Sequence, residues 1–269
     1  MKTFKLMGMF FLALTTSVIF TACSSDDDEP SSPTESAMKV SSITSTETGY
    51  DGVSKALFTY DSKGRLTTAR NSESGYSYNS TDLYTYVWND DNSISIKRQR
   101  DSEEALAYAT VTVSNSRITS YVGREETLIF SYDAKGYLSS LKSTESSYDI
   151  TWMDGNLVYL KEKRDYSGSS YTYDLVYNTA VVNPGLFGIT SSNTFDFETG
   201  LAILLTAHPK FLGTLSKNAI KQIKSVYHSE EYGEDATIYN YEYDKNEFPT
   251  RIVERYGQTS EYNYEITWN

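Results

Sequence analysis

The sequence predicts an all-β protein: a large antiparallel meander, barrel-like or strongly curved, with one inserted helix. Composition is the first ground. The 269 residues include 24 tyrosines, and 14% of the chain is aromatic; Tyr, Thr, Val and Ile favour a pleated, half-buried surface over a helix stripe. Alternation is the second. Tyr171, Tyr173, Leu175 and Tyr177 oppose Thr172, Asp174 and Val176, and Tyr262, Tyr264, Ile266 and Trp268 oppose Asn263, Glu265 and Thr267, which is the period-two pattern of strands with an aromatic and a polar face. The third is punctuation: turn residues recur about every ten positions, leaving no room for crossover helices, so successive strands pair antiparallel.

The first 22 residues stand outside that fold. Lys2 and Lys5 precede an apolar run, Leu6 to Phe20, too short to span a membrane comfortably, and small residues follow; this is the layout of an export signal. Its end, Phe20-Thr21-Ala22-Cys23, resembles a bacterial lipobox, with Phe20 where Leu or Val is usual. The resemblance implies cleavage before Cys23 and lipidation of that residue; an ordinary signal peptide that happens to contain a cysteine is the alternative. Cys23 is the chain's single cysteine, so it has no intramolecular disulfide partner in an oxidising envelope, and lipidation accounts for it better.

Residues 23–38 form an acidic, Ser/Pro-rich tether with too little apolar surface to fold. Asp26, Asp27, Asp28 and Glu29 resemble the acidic signal that Bacteroidetes place after the lipidated cysteine for export to the outer face of the outer membrane; a plain solvated spacer is the alternative. The expected localisation is therefore the outer membrane, lipid-anchored and facing the cell exterior. Removing residues 1–22 takes away two lysines and no acid, leaving 22 basic against 36 acidic residues, a net charge of −14. Such a charge repels nucleic acid and anionic lipid, so the only membrane partner expected is the one reached through the anchor.

One domain, 39–269, follows. Strands are expected at 40–47, 54–60, 65–71, 83–89, 93–100, 106–114, 117–123, 127–132, 138–144, 148–153, 157–164, 171–176, 220–228, 237–243, 250–255 and 261–268. A sheet of that size must curl, split or close. The corners repeat. In Phe58-Thr59-Tyr60-Asp61-Ser62-Lys63-Gly64-Arg65-Leu66, Asp61 is placed to hold a turn over Ser62 and Lys63, and Gly64 to supply the positive φ that returns the chain. Phe130 to Leu138 repeats the corner with Asp133 and Gly136, and Tyr241 to Ile252 repeats it with Asn246 expected in the glycine's place. Looser relatives are the Asn-Asp turn at Asn89 to Asn92 and the Asp-Gly turn at Asp154-Gly155.

The exception to the strand pattern is 183–218. Asn193 is placed to cap a helix from Asp196, giving an inserted helix at about 194–207 that Pro209 stops. Phe195, Phe197, Leu201, Ala202, Ile203, Leu204 and Leu205 make it apolar nearly all round, which suits a plug on the concave side of the sheet.

Taken together, the lipobox, the acidic tether, the Tyr-Asp-x-x-Gly corners, the segment Trp152 to Leu157 and the late insertion resemble a Bacteroidetes outer-membrane lipoprotein domain family of unknown function, described as having a porin-like fold. The corners alone are also similar to the longer, more regular Tyr-Asp repeat arrays of bacterial surface proteins. The family resemblance implies a fold and says almost nothing of activity.

Catalytic and cofactor motifs are missing from the sequence. His208 and His228 are the only histidines and are not spaced as a metal cluster; no Gly-x-Ser-x-Gly elbow, Walker loop or dinucleotide fingerprint is present. No cofactor and no enzymatic activity are expected. Two carboxylates at the right separation would suffice for glycoside cleavage, but the acids fall mostly in turns, where they shape the backbone. The expected role is non-catalytic binding of a glycan or another extracellular ligand, with a scaffold for envelope proteins as the alternative. Tyr84, Tyr86 and Trp88, and Tyr239, Tyr241 and Tyr243, are the candidate stacking platforms; the competing reading is that they pack the concave face. A membrane-spanning wall is disfavoured because the apolar face is tyrosine-rich and several strands are shorter than a bilayer requires.

Overall fold

The computed structural model describes residues 38–75, 78–164, 169–183, 195, 197–228, 234–257 and 260–269. Sixteen strands close into one antiparallel barrel, each paired with its neighbours in sequence. They are β1 (Val40–Glu47), β2 (Val53–Tyr60), β3 (Leu66–Gly75), β4 (Tyr78–Trp88), β5 (Ser93–Arg100) and β6 (Leu106–Ser114). Next come β7 (Arg117–Val122), β8 (Thr127–Tyr132), β9 (Leu138–Lys142), β10 (Ser146–Met153), β11 (Asn156–Arg164) and β12 (Ser170–Val182). After helix α1 (Thr199–Ala207) and a 3-10 turn (Pro209–Leu212), the chain ends with β13 (Asn218–His228), β14 (Glu234–Tyr243), β15 (Pro249–Tyr256) and β16 (Ser260–Trp268). The last strand pairs with the first, from Val40↔Trp268 to Glu47↔Tyr262, so the sheet has no free edge.

Side chains of alternate residues fill the lumen. Buried positions such as Tyr84 and Tyr86, Ile94 and Ile96, Leu128 and Phe130, and Tyr173 and Leu175 alternate with exposed or half-buried ones. The outward phase carries charge along the strands: Lys55, Lys97, Lys142, Asp149, Lys163, Asp174, Lys224 and Glu265 are exposed. A lysine facing the bilayer midplane costs about 2–4 kcal/mol, so this wall suits water rather than lipid. Among the described residues no helix is long and apolar enough to cross a membrane.

A sixteen-strand barrel is too wide for its own side chains to fill. Helix α1 enters the lumen to do so, burying Gly200, Leu201, Ile203, Leu204, Leu205 and Thr206. Each fully buried leucine stabilises by about 1.5–3 kcal/mol. Only Gly fits at 200, because a Cβ there would lie 2.8 Å from the Tyr108 ring. The helix is shorter than the sequence suggests. Phe197 and Glu198 are not helical, Glu198 is the N-cap, and it makes no side-chain capping bond; Asn193 and Asp196 lie outside the described residues. The apolar side chains of the first expected turn instead pack against the wall, Phe195 beside Tyr148 at 5.7 Å and Phe197 beside Phe130 at 6.1 Å between ring centroids.

Antiparallel hairpins put alternate turns at opposite ends. One end holds the Asp corners. Asp61 Oδ1 accepts from the N–H groups of Lys63 and Arg65, both at 2.9 Å, and Gly64 has φ +74°. Asp133 does the same for Lys135 and Tyr137, with Gly136 at φ +85°. At the third corner Asp244 accepts from Asn246 and Phe248, and the positive φ falls on Glu247 (+67°), not on Asn246. The carboxylate binds the second and fourth following N–H groups, so the third residue after the aspartate must turn left-handed, whatever its identity. Asn92, three after Asn89, is also left-handed at φ +61°, but there Asp91 rather than Asn89 accepts the Ser93 N–H.

Strands β3, β4 and β12 run further than their sequence boundaries: β3 to Gly75, β4 from Tyr78 and β12 to Val182. The polar Ser72-Glu73-Ser74 segment lies beyond the expected strand 65–71, but the partner strands pair with it, Ser54 with Glu73 and Ser80 with Glu73.

Candidate functional site

The plug closes one end of the barrel and leaves the other open. From α1 the chain runs to the end bearing the Asp corners, where Thr214 donates its N–H to Gly136 O and Lys217 to Gly155 O, both at 2.8 Å. His208, at the C-cap of α1, accepts the Leu66 N–H on Nε2 at 3.0 Å. Trp88 packs on both His208 and Phe211, 5.4 and 5.8 Å between centroids. Lys39 and Asn269 exchange backbone hydrogen bonds at this same end, so the domain begins and finishes at its plugged floor.

At the opposite end lies a cavity of about 650 Å3, within the range of small-molecule sites. Its floor is the start of α1, with Phe197, Glu198 and Thr199; its wall is Arg98, Tyr108, Tyr148, Glu162 and Arg164; its rim is the loop residues Arg124–Glu126 and Ser143–Glu145. A smaller cavity of about 430 Å3, between Tyr50, Val53, Glu73 and Tyr262, opens on the same rim.

The wall charges are organised in pairs. Arg98 forks onto Asp82, Nε to Oδ1 at 2.9 Å and Nη2 to Oδ2 at 2.8 Å, and Arg100 adds a contact at 3.4 Å. Burial pushes the Asp82 carboxyl up, but the two guanidinium groups outweigh it and hold the group below its usual range. Arg164 Nε donates to Glu162 Oε1 at 2.7 Å while its guanidinium lies 4.5 Å from the Tyr171 ring centre. Glu162 is only 4% exposed and also receives Ser146 Oγ at 3.4 Å and the Tyr173 hydroxyl at 3.5 Å. Glu198 takes the Tyr121 hydroxyl on Oε2 at 2.8 Å and the Glu125 N–H on Oε1 at 3.4 Å. Burial above all drives the Tyr121 and Tyr108 hydroxyls well above the ordinary tyrosine range, followed by Glu198 at Tyr121 and by Tyr84 and then Glu198 at Tyr108, so both are donors at any physiological pH.

The six aromatic residues picked out from the sequence lie elsewhere. Tyr84 is 2% exposed, edge-on to Tyr108 at 5.5 Å, and the Tyr86 hydroxyl donates to Gly200 O at 2.9 Å. Trp88 Nε1 is held by Leu66 O at 2.8 Å. On the far wall Tyr239 is 2% exposed, the Tyr241 hydroxyl donates to Ile220 O at 2.7 Å, and Tyr243 stacks on Tyr241 at 6.0 Å. The Tyr243 hydroxyl is buried with no hydrogen-bond partner among the described residues. Five of these rings pack in the core or against it, and Tyr243 is half-buried beside Tyr241. Cys23, Asp26, Asp27, Asp28 and Glu29 lie outside the described residues.

The cavity residues were legible in one respect. Arg98 shares the inward phase of Ile94 and Ile96, and Glu162 and Arg164 share that of Leu160. Charges on the apolar phase of a strand mark where the core gives way to a polar chamber. Among the described residues no group of His, Cys, Asp and Glu is placed to hold a metal ion.

No family model matches the chain, and no curated protein matches it. Among solved structures it is similar to a porin-like protein from Bacteroides uniformis, with a TM-score of 0.56 and 19% identity over 85% of this chain and 98% of that one. A porin-like protein from Bacteroides vulgatus also aligns, at 12% identity and a TM-score of 0.34 over 81% of this chain and 84% of the other. The first likeness is one of fold.

Proposed function

We propose that this chain is a lipid-anchored, surface-facing protein of the outer membrane with a non-catalytic role, binding a glycan or another extracellular ligand in the open mouth of its barrel. The observation that carries the reading is the one-sided plug: α1 and the 3-10 turn close the end where the domain begins, and the cavity of about 650 Å3 opens at the other. The chain enters the barrel through Lys39 at the plugged end, opposite the cavity. The charged outer wall supports a barrel standing in water, reached by its ligand from outside.

The test is hydrogen exchange on the full mature chain in detergent, with and without a panel of oligosaccharides and envelope extract. Protection confined to 98–108, 124–126, 143–148 and 162–164 supports the reading. A stable envelope protein that shields the outer strands and leaves the mouth unprotected supports the scaffold alternative. New reducing ends in the oligosaccharide mixtures would make Glu162 and Glu198 catalytic and overturn the non-catalytic role.

A further inference from the structure

The mouth holds charge of both signs, and its arrangement separates the ligands it suits from those it repels. Three arginines line the cavity, Arg98, Arg124 and Arg164, against five glutamates, and Asp82 stands directly behind Arg98. An anion entering this chamber meets two guanidinium groups, Arg98 and Arg164, whose charge is already countered at contact distance, a third, Arg124, exposed at the rim where solvent screens it, and carboxylates in excess. A cation is not better served. The deep carboxylates are occupied by donors, Glu162 by Arg164, Ser146 and Tyr173 and Glu198 by Tyr121 and the Glu125 N–H, while the side chains of Glu125 and Glu145 are exposed at the rim, where water and salt screen them.

Such pairs still hold hydrogen-bonding capacity after neutralising one another. A guanidinium has five N–H donors and a carboxylate about four acceptor sites, more than one partner uses. An Arg beside a Glu therefore offers a donor and an acceptor side by side, the complement of vicinal hydroxyl groups, each of which both donates and accepts. Tyr108, Tyr148 and Phe197 add ring carbon to the same wall, which suits the C–H faces of a sugar ring.

We infer that the mouth is a site for a neutral, polyhydroxylated ligand, a short uncharged oligosaccharide, bound by the Glu162–Arg164 pair, by Arg98 and by Glu198, with Tyr108 and Tyr148 as the apolar faces. The inference rests on the binding role proposed for this cavity and narrows its ligand to one class. The paired charges work in recognition without net attraction, so binding responds weakly to salt, whereas an ionic ligand would be lost as ionic strength rises.

The experiment is calorimetric titration of the full mature chain in detergent with three probe sets: neutral di- to tetrasaccharides, the corresponding uronate oligosaccharides, and spermidine. The expected result is binding of a neutral member, changed less than about threefold between 50 and 500 mM NaCl. Glu162→Gln keeps shape but removes the charge and an acceptor, and Tyr108→Ala removes a face; each should weaken binding about tenfold or more. Glu47→Gln, in the smaller cavity, should leave it unchanged, and thermal melting checks that each variant is folded. Uronates or spermidine binding where neutral sugars do not would overturn the inference and leave the binding role standing. Neutral sugar binding weakened by Glu47→Gln and untouched by the other two would move the site to the smaller cavity and overturn the assignment. No binding in any set, together with no hydrogen-exchange protection at the mouth from envelope extract, would overturn both.

Discussion

The indole N–H of Trp88 donates to the carbonyl of Leu66 at 2.8 Å, across 22 residues of sequence. Leu66 is the first residue after the Asp61 corner and pairs with Tyr60 beside the bulge that shifts the register between Thr59 and Tyr60. The other two corners of this type repeat the bond. Trp152 Nε1 donates to Leu138 O and Trp268 Nε1 to Pro249 O, both at 2.8 Å, each beside a bulge. All three tryptophans of the chain are thus spent on one backbone device. Thr67, Ser139 and Thr250 add a second, donating their hydroxyls back to Thr59, Ser131 and Glu242.

Replacing the indole should therefore cost more than its packing. Trp152→Phe keeps a ring against Tyr137, 4.5 Å away, but removes the N–H that reaches the Leu138 carbonyl. A destabilisation of about 1–3 kcal/mol is expected, lowering Tm by roughly 2–10 °C in a domain of this size. Calorimetric melting of Trp88→Phe, Trp152→Phe and Trp268→Phe should give losses of similar size; no loss in any of the three would show that water serves these carbonyls equally well.

Gly213 and Gly136 meet where the plug docks. Both have positive φ, +92° and +85°. A Cβ on Gly213 would lie 2.4 Å from the Gly136 carbonyl oxygen, a backbone atom, whereas one on Gly136 would meet the side-chain end of Arg117 at 2.7 Å. Either alanine carries the left-handed penalty of about 1 kcal/mol, but only Arg117 can swing aside. Gly213→Ala should melt well below Gly136→Ala, and the opposite order would contradict this packing of the plug.

Stability should fall with acid through His208. Burial, and then the nearby Lys39 charge, lower its pKa from 6.5 to about 4, and its Nε2 must stay unprotonated to accept the Leu66 N–H. Above pH 6.5 the contribution is present in full. As pH falls, the unfolded chain takes up a proton near 6.5 and the folded chain only near 4, so stability drains across that window, by up to about 3 kcal/mol. His208→Gln keeps an acceptor and does not titrate. Its Tm should drop less than that of the parent between pH 7 and pH 4.5; equal drops would assign the acid sensitivity to the carboxylates.

The anchor is tested apart from the barrel. With Cys23 carrying the lipid, Cys23→Ala should move the protein to soluble fractions, since two or more acyl chains provide stable attachment that one does not. Palmitate labelling that persists in the alanine variant would refute this. Changing Asp26, Asp27, Asp28 and Glu29 to alanine should lower protease accessibility on intact cells at constant total protein; unchanged accessibility would reduce the run to a spacer.

Strands, corners and plug were legible in the sequence because each depends on local rules. Alternation marks which side chains of β12 and β16 turn inward, and an aspartate three residues before a glycine marks a corner. The same rules misplace the left-handed residue at Glu247, since its position is set by where Asp244 bonds rather than by which nearby residue tolerates the conformation best. Closure of the barrel, the use of Tyr84, Tyr86 and Tyr239 as core, and the gathering of Arg98, Glu162, Arg164 and Glu198 around one cavity were decided only in three dimensions. β5, β11 and the start of α1 are far apart in sequence, and their charges share a chamber only because sixteen strands curl until β16 meets β1. Alternation says that a side chain faces inward; the circumference of the barrel and the depth to which the plug enters decide whether it meets protein or an open space.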